Sequence, residues 1–216
     1  MIASSLDNFA IEIRELQRPE IGELFEFFEV GKQVGSSTMS HKRNPELCER
    51  VCGLARIVRS LVVPALENVV TWHERDLTQS SAERYMLPEA CILVDYQLFL
   101  MINIVASLRV DEERMLKNMR LTQGRAMSEA VMIALAKKGV SRQEAHELLR
   151  KLAIKSEVER REFKRILLKD KLVHRKLSEK EIDEALKPRN YLGTAKEQVT
   201  RMVKKTIKER RARGLS

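Results

Sequence analysis

The segment from Glu89 to Leu108 constrains the fold more than any other part of the sequence. Its residues are apolar at nearly every position. A helix that is apolar nearly all round needs neighbours on all sides, so this pattern predicts a helix at the centre of a bundle. Asp95, Gln97 and Asn103 interrupt the run, which makes it poor material for a bilayer span, and we expect no membrane contact.

The remaining composition also favours helices. Only 8 of 216 residues are Gly and 5 are Pro, and aromatic residues make up 5%, whereas β-sandwiches and barrels need frequent turns and β-branched or aromatic strands. Hydrophobic residues make up 44%, which is enough to build a core and argues against disorder. The sequence therefore predicts an all-α protein.

Helical spacing of apolar residues and the positions of proline divide the chain further. A stripe over 2–18 predicts one helix, and Pro45 opens a second that Pro64 should kink or divide. Pro88 is expected to open the apolar helix that ends at Leu108. Beyond Asp111 the segments are shorter and more polar, with further helices expected around 157–172, 178–186 and 194–212 and a capping-box spacing at Ser141 and Glu144. We expect two domains: 1–109, part of a long central helix bundle, and 110–216, a smaller C-terminal helical domain.

The net charge of +9 comes from the C-terminal third. Residues 150–216 hold 22 Lys and Arg against 10 Asp and Glu, whereas the other residues hold 18 against 21. Nucleic-acid binding is one interpretation of such a skew. The acidic residues are interleaved, however, and Phe163 and Tyr191 are the only aromatic residues there. A solvated helical surface with ion pairs is therefore favoured over a nucleic-acid partner.

The three cysteines and the N-terminus bear on metal binding, disulfide bonds and cellular location. Cys48 and Cys52 are four residues apart, but no His or further Cys completes a ligand set, so we expect core residues and no metal site. Three cysteines cannot form a disulfide scaffold. Residues 1–5 lack the basic and apolar pattern of a signal peptide. The expectation is a cytoplasmic protein.

Residues 29–44 form the one long stretch without apolar periodicity, and we expect a loop there. The run Gly35-Ser-Ser-Thr-Met-Ser-His-Lys-Arg-Asn-Pro45 concentrates hydroxyl groups, a histidine, two cations and an amide just before a helix. Lys42 and Arg43, together with the amides of the helix N-terminus, favour an anion. A serine hydroxyl beside these cations loses its proton more easily than in water.

This run resembles the GSSxMPxKxN signature of the fumarase/aspartase superfamily, whose members eliminate fumarate or add to it. Three further runs are similar to the adenylosuccinate lyase branch: Trp72-His-Glu-Arg-Asp76, Ser80-Ser-Ala-Glu-Arg84 and Pro188-Arg-Asn-Tyr-Leu-Gly193. The resemblance implies an all-α bundle that forms homotetramers. It also implies elimination of fumarate from adenylosuccinate, or from the related aminoimidazole succinocarboxamide nucleotide, in purine synthesis.

The same resemblance implies roles for individual residues. Ser37 would be the general base, Lys42 would stabilise the carbanion, and Glu49 would orient a histidine from elsewhere in the active site. Substrate-binding roles fall to the neighbouring loop residues Ser36, Thr38, Met39 and Asn44. Arg75, Ser80 and Arg84 would bind the nucleotide phosphate, for which guanidinium groups and a hydroxyl are suited on chemical grounds too. No cofactor is expected.

Two departures from the family pattern keep alternatives open. Ser40 stands where the signature has proline, and the chain is about half as long as these lyases. We expect a C-terminal part that lacks the general-acid histidine, needs a separate N-terminal half as partner, and is inactive alone. The alternatives are a non-catalytic helical assembly module and another superfamily member, such as argininosuccinate lyase or carboxymuconate cycloisomerase.

Overall fold

The computed structural model describes residues 1–27, 44–74 and 76–215. These residues form α-helices and two strands of two residues each, which confirms the predicted all-α class. The chain divides into two compact units, unit 1 (Met1–Asn118) and unit 2 (Met119–Ser216). The expected domain boundary at residue 110 stays a prediction.

Unit 1 is built on packed helices with a shared apolar core. Helices α1 (Ile2–Leu16) and α2 (Glu46–Ser60) pack against each other and against α4 (Thr78–Ala106), and the short α3 (Val62–Glu67) lies between α2 and α4 in the chain. As predicted, the helix before Pro64 is divided, with α2 ending at Ser60. The core is formed by Ala10, Ile13, Cys48, Val51, Cys52, Leu100, Met101 and Ile104.

The apolar helix starts earlier than predicted. Helix α4 begins at Thr78, and Pro88 lies inside it instead of opening it. The carboxylate of Asp76 accepts hydrogen bonds from the amide of Thr78, at 2.9 Å, and from its hydroxyl, which starts the helix ahead of the proline. A proline inside a helix costs a backbone hydrogen bond. Packing of the C-terminal part of α4 on α1 and α2 offsets that cost.

Only one face of α4 is buried within unit 1. Leu100 and Ile104 lie in the core, whereas Ile92, Phe99 and Ile102 are exposed. The predicted position with neighbours on all sides is therefore not reached within a single chain.

By length and composition α4 is also the one helix in the described ranges that could cross a membrane, a test that core helices of soluble proteins pass too.

A short ribbon holds the chain that leads to residue 27. Strand β1 (Leu24–Phe25) pairs antiparallel with β2 (Arg109–Val110). Helix α5 (Glu112–Met119) follows β2, and the Nε of Arg114 donates to the carbonyl oxygen of Ile21 at 2.8 Å. The sequence did not predict this ribbon, because two residues per strand are too few to show alternation.

Unit 2 consists of helices, most of which pack around its own core. They are α6 (Ser128–Lys137), α7 (Arg142–Val158), α8 (Phe163–Lys169), α9 (Lys171–Lys176), α10 (Glu179–Ala185) and α11 (Ala195–Ala212). Two 3₁₀ turns, Arg125–Met127 and Pro188–Tyr191, complete the unit. The fully buried side chains of this core include Val131, Leu135, Phe163, Leu167, Val173, Leu177 and Ile182.

Polar side chains fix several helix starts in unit 2. The hydroxyl of Ser141 accepts the amide of Glu144 at 3.2 Å, as the spacing predicted. Ser178 and Glu181 form a complete capping box at the start of α10. The expected helix over 157–172 is wrong in part, since α7 ends at Val158 and α8 starts at Phe163.

The basic C-terminal helix is a solvated surface. None of the residues of α11 is buried. Elsewhere in the C-terminal third some cations are paired, and Lys164 lies 2.9 Å from Glu179 and 2.7 Å from Asp183. These pairs are consistent with the interleaved charges in the sequence.

Candidate functional site

The residues proposed for chemistry fall into two groups in the chain. Five of them, Ser36, Ser37, Thr38, Met39 and Lys42, lie outside the described residues, as does Arg75. The described members are Asn44 and Glu49 around the start of α2, and Ser80 and Arg84 near the start of α4.

The start of α2 is held by a residue that the sequence did not single out. Pro45 occupies the N-cap position and provides no side-chain acceptor for the first amides of the helix. Glu26 supplies it instead. Its Oε1 accepts the amide of Leu47 and its Oε2 accepts the amide of Cys48, each at 2.9 Å.

This contact corrects one sequence-based expectation. The helix N-terminus after Pro45 was expected to offer amides to an anionic substrate. The amides of Leu47 and Cys48 are instead taken by the buried carboxylate of Glu26. The one sequence signal for such a role is a single charge within the apolar run of Leu24, Phe25 and Phe27.

Glu49 lies in the first turn of α2, on its exposed side. The adjacent residues Cys48 and Val51 face the core, whereas the side chain of Glu49 is exposed. Burial raises the pKa of the Cys48 and Cys52 thiols, which therefore stay protonated in the core. The carboxylates of Glu46 and Glu49 are exposed in this turn, and Glu46 pairs with Arg50.

The second group follows a turn organised by Asp76. Its carboxylate accepts the amides of Trp72 at 3.1 Å and Thr78 at 2.9 Å, and also the hydroxyl of Thr78. The hydrogen bond from the Thr78 hydroxyl, followed by those from the two amides, lowers the pKa of Asp76. His73 adopts a φ of 54°, and its ring stacks on Trp72 with centroids 5.6 Å apart. Asp76 thus links the backbone of Trp72 to the start of α4.

Ser80 and Arg84 are one helical turn apart on α4. Residues four apart lie on the same face of a helix, so the hydroxyl and the guanidinium can contact one ligand. Ser80 is half-buried and Arg84 is exposed. A hydroxyl and a guanidinium on one exposed face suit an anionic group such as phosphate.

The described members of the two groups, Asn44 and Glu49 on one side and Ser80 and Arg84 on the other, are not brought together within one chain. The Nε2 of Gln97 donates to the carbonyl oxygen of Val51 at 2.9 Å, which places the start of α2 beside the middle of α4. Arg84 lies thirteen residues before Gln97 on the same helix. At 1.5 Å per residue this separates Arg84 from the start of α2 by about 20 Å, more than one small substrate spans.

Comparisons with known proteins show which family the chain resembles. Residues 124–202 match the family model described as adenylosuccinate lyase C-terminus, and residues 1–60 match the model described as lyase. The chain is 50% identical to adenylosuccinate lyase of Archaeoglobus fulgidus, over 94% of this chain and 46% of the relative. It is 48% identical to that of Pyrococcus abyssi, over 100% of this chain and 47% of the relative.

Solved structures of similar fold include a lactonizing enzyme and a fumarate lyase. The 3-carboxy-cis,cis-muconate lactonizing enzyme of Pseudomonas putida matches with a TM-score of 0.78 and 36% identity, over 94% of this chain and 44% of that one. A fumarate lyase of Mesorhizobium sp. BNC1 matches with a TM-score of 0.76 and 27% identity, over 90% and 42%. The chain spans about half the length of the curated relatives it matches.

Proposed function

Because this chain belongs with the adenylosuccinate lyases of the fumarase/aspartase superfamily and matches their C-terminal part, we propose that it supplies part of the active site of an enzyme that eliminates fumarate from adenylosuccinate. The observation that carries the proposal is the 48% identity to a curated adenylosuccinate lyase along the whole chain. The products are fumarate and AMP. The same chemistry converts the aminoimidazole succinocarboxamide nucleotide to fumarate and the aminoimidazole carboxamide nucleotide. The enzyme would therefore catalyse two steps of purine synthesis.

The proposed elimination begins at the segment that carries Ser37. The Ser37 oxygen removes a proton from the carbon beside a succinyl carboxylate. The electron pair left on that carbon is delocalised into the carboxylate, where the ammonium of Lys42 stabilises the new charge. Asn44 hydrogen-bonds the succinyl group, and Ser36, Thr38 and Met39 surround it. The C–N bond then breaks, and a general acid outside this chain protonates the departing nitrogen.

The nucleotide phosphate is assigned to the start of α4. Ser80 and Arg84 share one helix face, and the turn held by Asp76 leads into it. Arg75, which directly precedes Asp76 in the sequence, is the third proposed phosphate ligand. These features support an anionic substrate and favour adenylosuccinate over argininosuccinate, which carries no phosphate.

The separation of the two groups supports an active site shared between polypeptides. With Arg84 about 20 Å from the start of α2, Lys42, Asn44 and Glu49 of one chain would act with Arg75, Ser80 and Arg84 of another. The exposed apolar residues of α4, among them Ile92 and Phe99, support self-association. We therefore propose a cytoplasmic homo-oligomer, a tetramer as in the superfamily, that also contains the half for which this chain has no counterpart.

A second candidate function is a non-catalytic assembly module. Ser40 in place of the signature proline favours it. The presence of Ser37, Lys42, Asn44 and Glu49 together is better explained by catalysis, since an assembly module has no need of a proton acceptor beside a fixed cation.

Substitution of the proposed base tests the catalytic assignment. We expect Ser37→Ala to abolish fumarate release from adenylosuccinate in the enzyme assembled with an N-terminal half, with no change in circular dichroism or unfolding. Ser4→Ala, at an exposed position of α1, is the matched control and should keep full turnover. A Ser37→Ala enzyme that retains most of its kcat would show that another residue is the base.

A further inference from the structure

Glu26 is a buried carboxylate that joins two segments 21 residues apart. Its side chain is 6% exposed. Both carboxylate oxygens accept backbone amides of the first turn of α2, from Leu47 and from Cys48, each at 2.9 Å. A carboxylate at this position also interacts favourably with the positive end of the helix dipole.

The backbone of Glu26 is itself fixed. Its amide donates to Oε1 of Gln17 at 2.9 Å, directly after α1. Glu26 also follows strand β1, which pairs with β2. The guanidinium of Arg114 and the side-chain amide of Asn118 both donate to the carbonyl oxygen of Ile21. The carboxylate therefore connects a rigid part of unit 1 to the start of α2.

The residues joined by this contact flank, in the sequence, the segment proposed to act on the substrate. Glu26 comes just before residues 28–43 in the chain, and Leu47 comes shortly after them. Asn44 lies three residues before Leu47, and Glu49 directly follows Cys48. An error of 1 Å in the placement of reacting groups can cost about 100-fold in rate. Loss of the carboxylate would leave two first-turn amides without their acceptor and free the start of α2 to move.

We infer that Glu26 is a positioning residue for the elimination: it fixes the N-terminus of α2, and through it Asn44 and Glu49, relative to the substrate. The inference rests on the proposed function. Glu26 acts through α2 and not on the substrate, because its side chain is buried and each of its two oxygens is bonded to an amide of α2.

Amide hydrogen exchange of this chain tests the contact without any need for activity. In Glu26→Ala the protection of the Leu47 and Cys48 amides should fall by about 10- to 100-fold, the range for loss of a hydrogen bond to a charged group. Glu26→Gln keeps the shape and one acceptor oxygen, so an intermediate loss is expected. Glu46→Gln is the matched control: it removes an exposed carboxylate from the same turn, where Glu46 pairs with Arg50, and should leave both amides protected. Unchanged exchange in both Glu26 variants would overturn the inference.

Steady-state kinetics test the positioning role. The chain is assembled with the N-terminal half of the Archaeoglobus fulgidus relative, and fumarate release from adenylosuccinate is followed. We expect Glu26→Ala to lower kcat about 10- to 100-fold with less than a threefold change in KM, because the proposed phosphate ligands lie elsewhere. Glu26→Gln should recover part of kcat, and Glu46→Gln should match the unsubstituted chain.

The outcomes separate this inference from the proposed function. Lost amide protection with an unchanged kcat would overturn the positioning role and leave the lyase assignment standing. Equal losses in Glu26→Ala and Glu46→Gln would also overturn it, since they would point to a general charge effect. An inactive assembly with the unsubstituted chain would refute the proposed function and with it the positioning role, while the exchange experiment would still decide whether Glu26 holds α2.

Discussion

Replacement of Phe163 by alanine should destabilise unit 2 strongly. Phe163 is the largest fully buried side chain among the residues that the structure describes, with 0% exposure, at the first position of α8. Its amide donates to the carbonyl oxygen of Gln123 at 3.0 Å, and its Cβ lies near Gly124, which has a φ of 92°. The backbone around the ring is thus held in place, which limits how far the site can collapse when the ring is removed.

The expected loss is about 4 kcal/mol, since Phe→Ala substitutions in packed cores cost about 3–5 kcal/mol. A unit of roughly 100 residues has a total stability of about 5–15 kcal/mol, so this is a large fraction. With a urea slope of about 1.5 kcal/mol per M, the unfolding midpoint should fall by about 2–3 M. Phe163→Leu keeps most of the volume and should cost about 1 kcal/mol.

Urea unfolding followed by circular dichroism gives the loss, and amide exchange at Leu135 and Ile182 reports the core of unit 2 directly. Val158→Ala is the matched control, because Val158 is 78% exposed in the same unit; its effect should stay within about 0.5 kcal/mol. A Phe163→Ala loss below about 1 kcal/mol, with no difference from Val158→Ala, would refute the assignment of this residue to a packed core.

Three further predictions concern pH, the turn before α4 and assembly. The pKa of Glu181 is lowered to about 2 from an ordinary 4.5. The largest cause is the hydrogen bond from Lys138, and the next largest are the hydrogen bonds from the backbone and side chain of Ser178. This exposed pair therefore adds stability above the ordinary pKa that is lost as pH falls from about 5 to about 2, and Glu181→Gln should show a shallower acid decline in its unfolding midpoint. Asp76→Asn should raise KM for adenylosuccinate about 3- to 10-fold by loosening the turn, whereas Asp95→Asn should not; equal effects of the two would contradict the role of the turn. The chain should associate in analytical ultracentrifugation, and a monomer at all concentrations would count against burial of the exposed face of α4.

Local sequence signals predicted the helices well where caps and prolines decide the local structure. Ser141 caps α7, and the helical structure is interrupted between Ser60 and Val62, ahead of Pro64. The same rules failed at Pro88, because hydrogen bonds from Thr78 to Asp76 start α4 ten residues earlier and tertiary packing keeps the helix intact across the proline. Whether a proline opens a helix or lies inside it depends on contacts that a single sequence does not display.

Long-range polar contacts account for most of what the sequence left out of the candidate site. Glu26 binds amides 21 and 22 residues later in the chain, and Gln97 binds the carbonyl oxygen of Val51, 46 residues earlier. Neither pairing has a periodicity or spacing that would reveal it. The motifs carrying Ser37 and Arg84 could be recognised, but the separation of Asn44 and Glu49 from Arg84 within unit 1 follows only from the packing of α2 on α4.

The most direct test of the central claim is fumarate release from adenylosuccinate, followed by absorbance, with this chain alone and after assembly with an N-terminal half from a relative. We expect activity only in the assembled enzyme, because the proposed general acid belongs to the N-terminal half and Arg84 lies about 20 Å from the start of α2. Activity of the chain alone would contradict the shared active site. An inactive mixture, in which the two halves are shown to assemble, would contradict the assignment as a lyase and favour the assembly module.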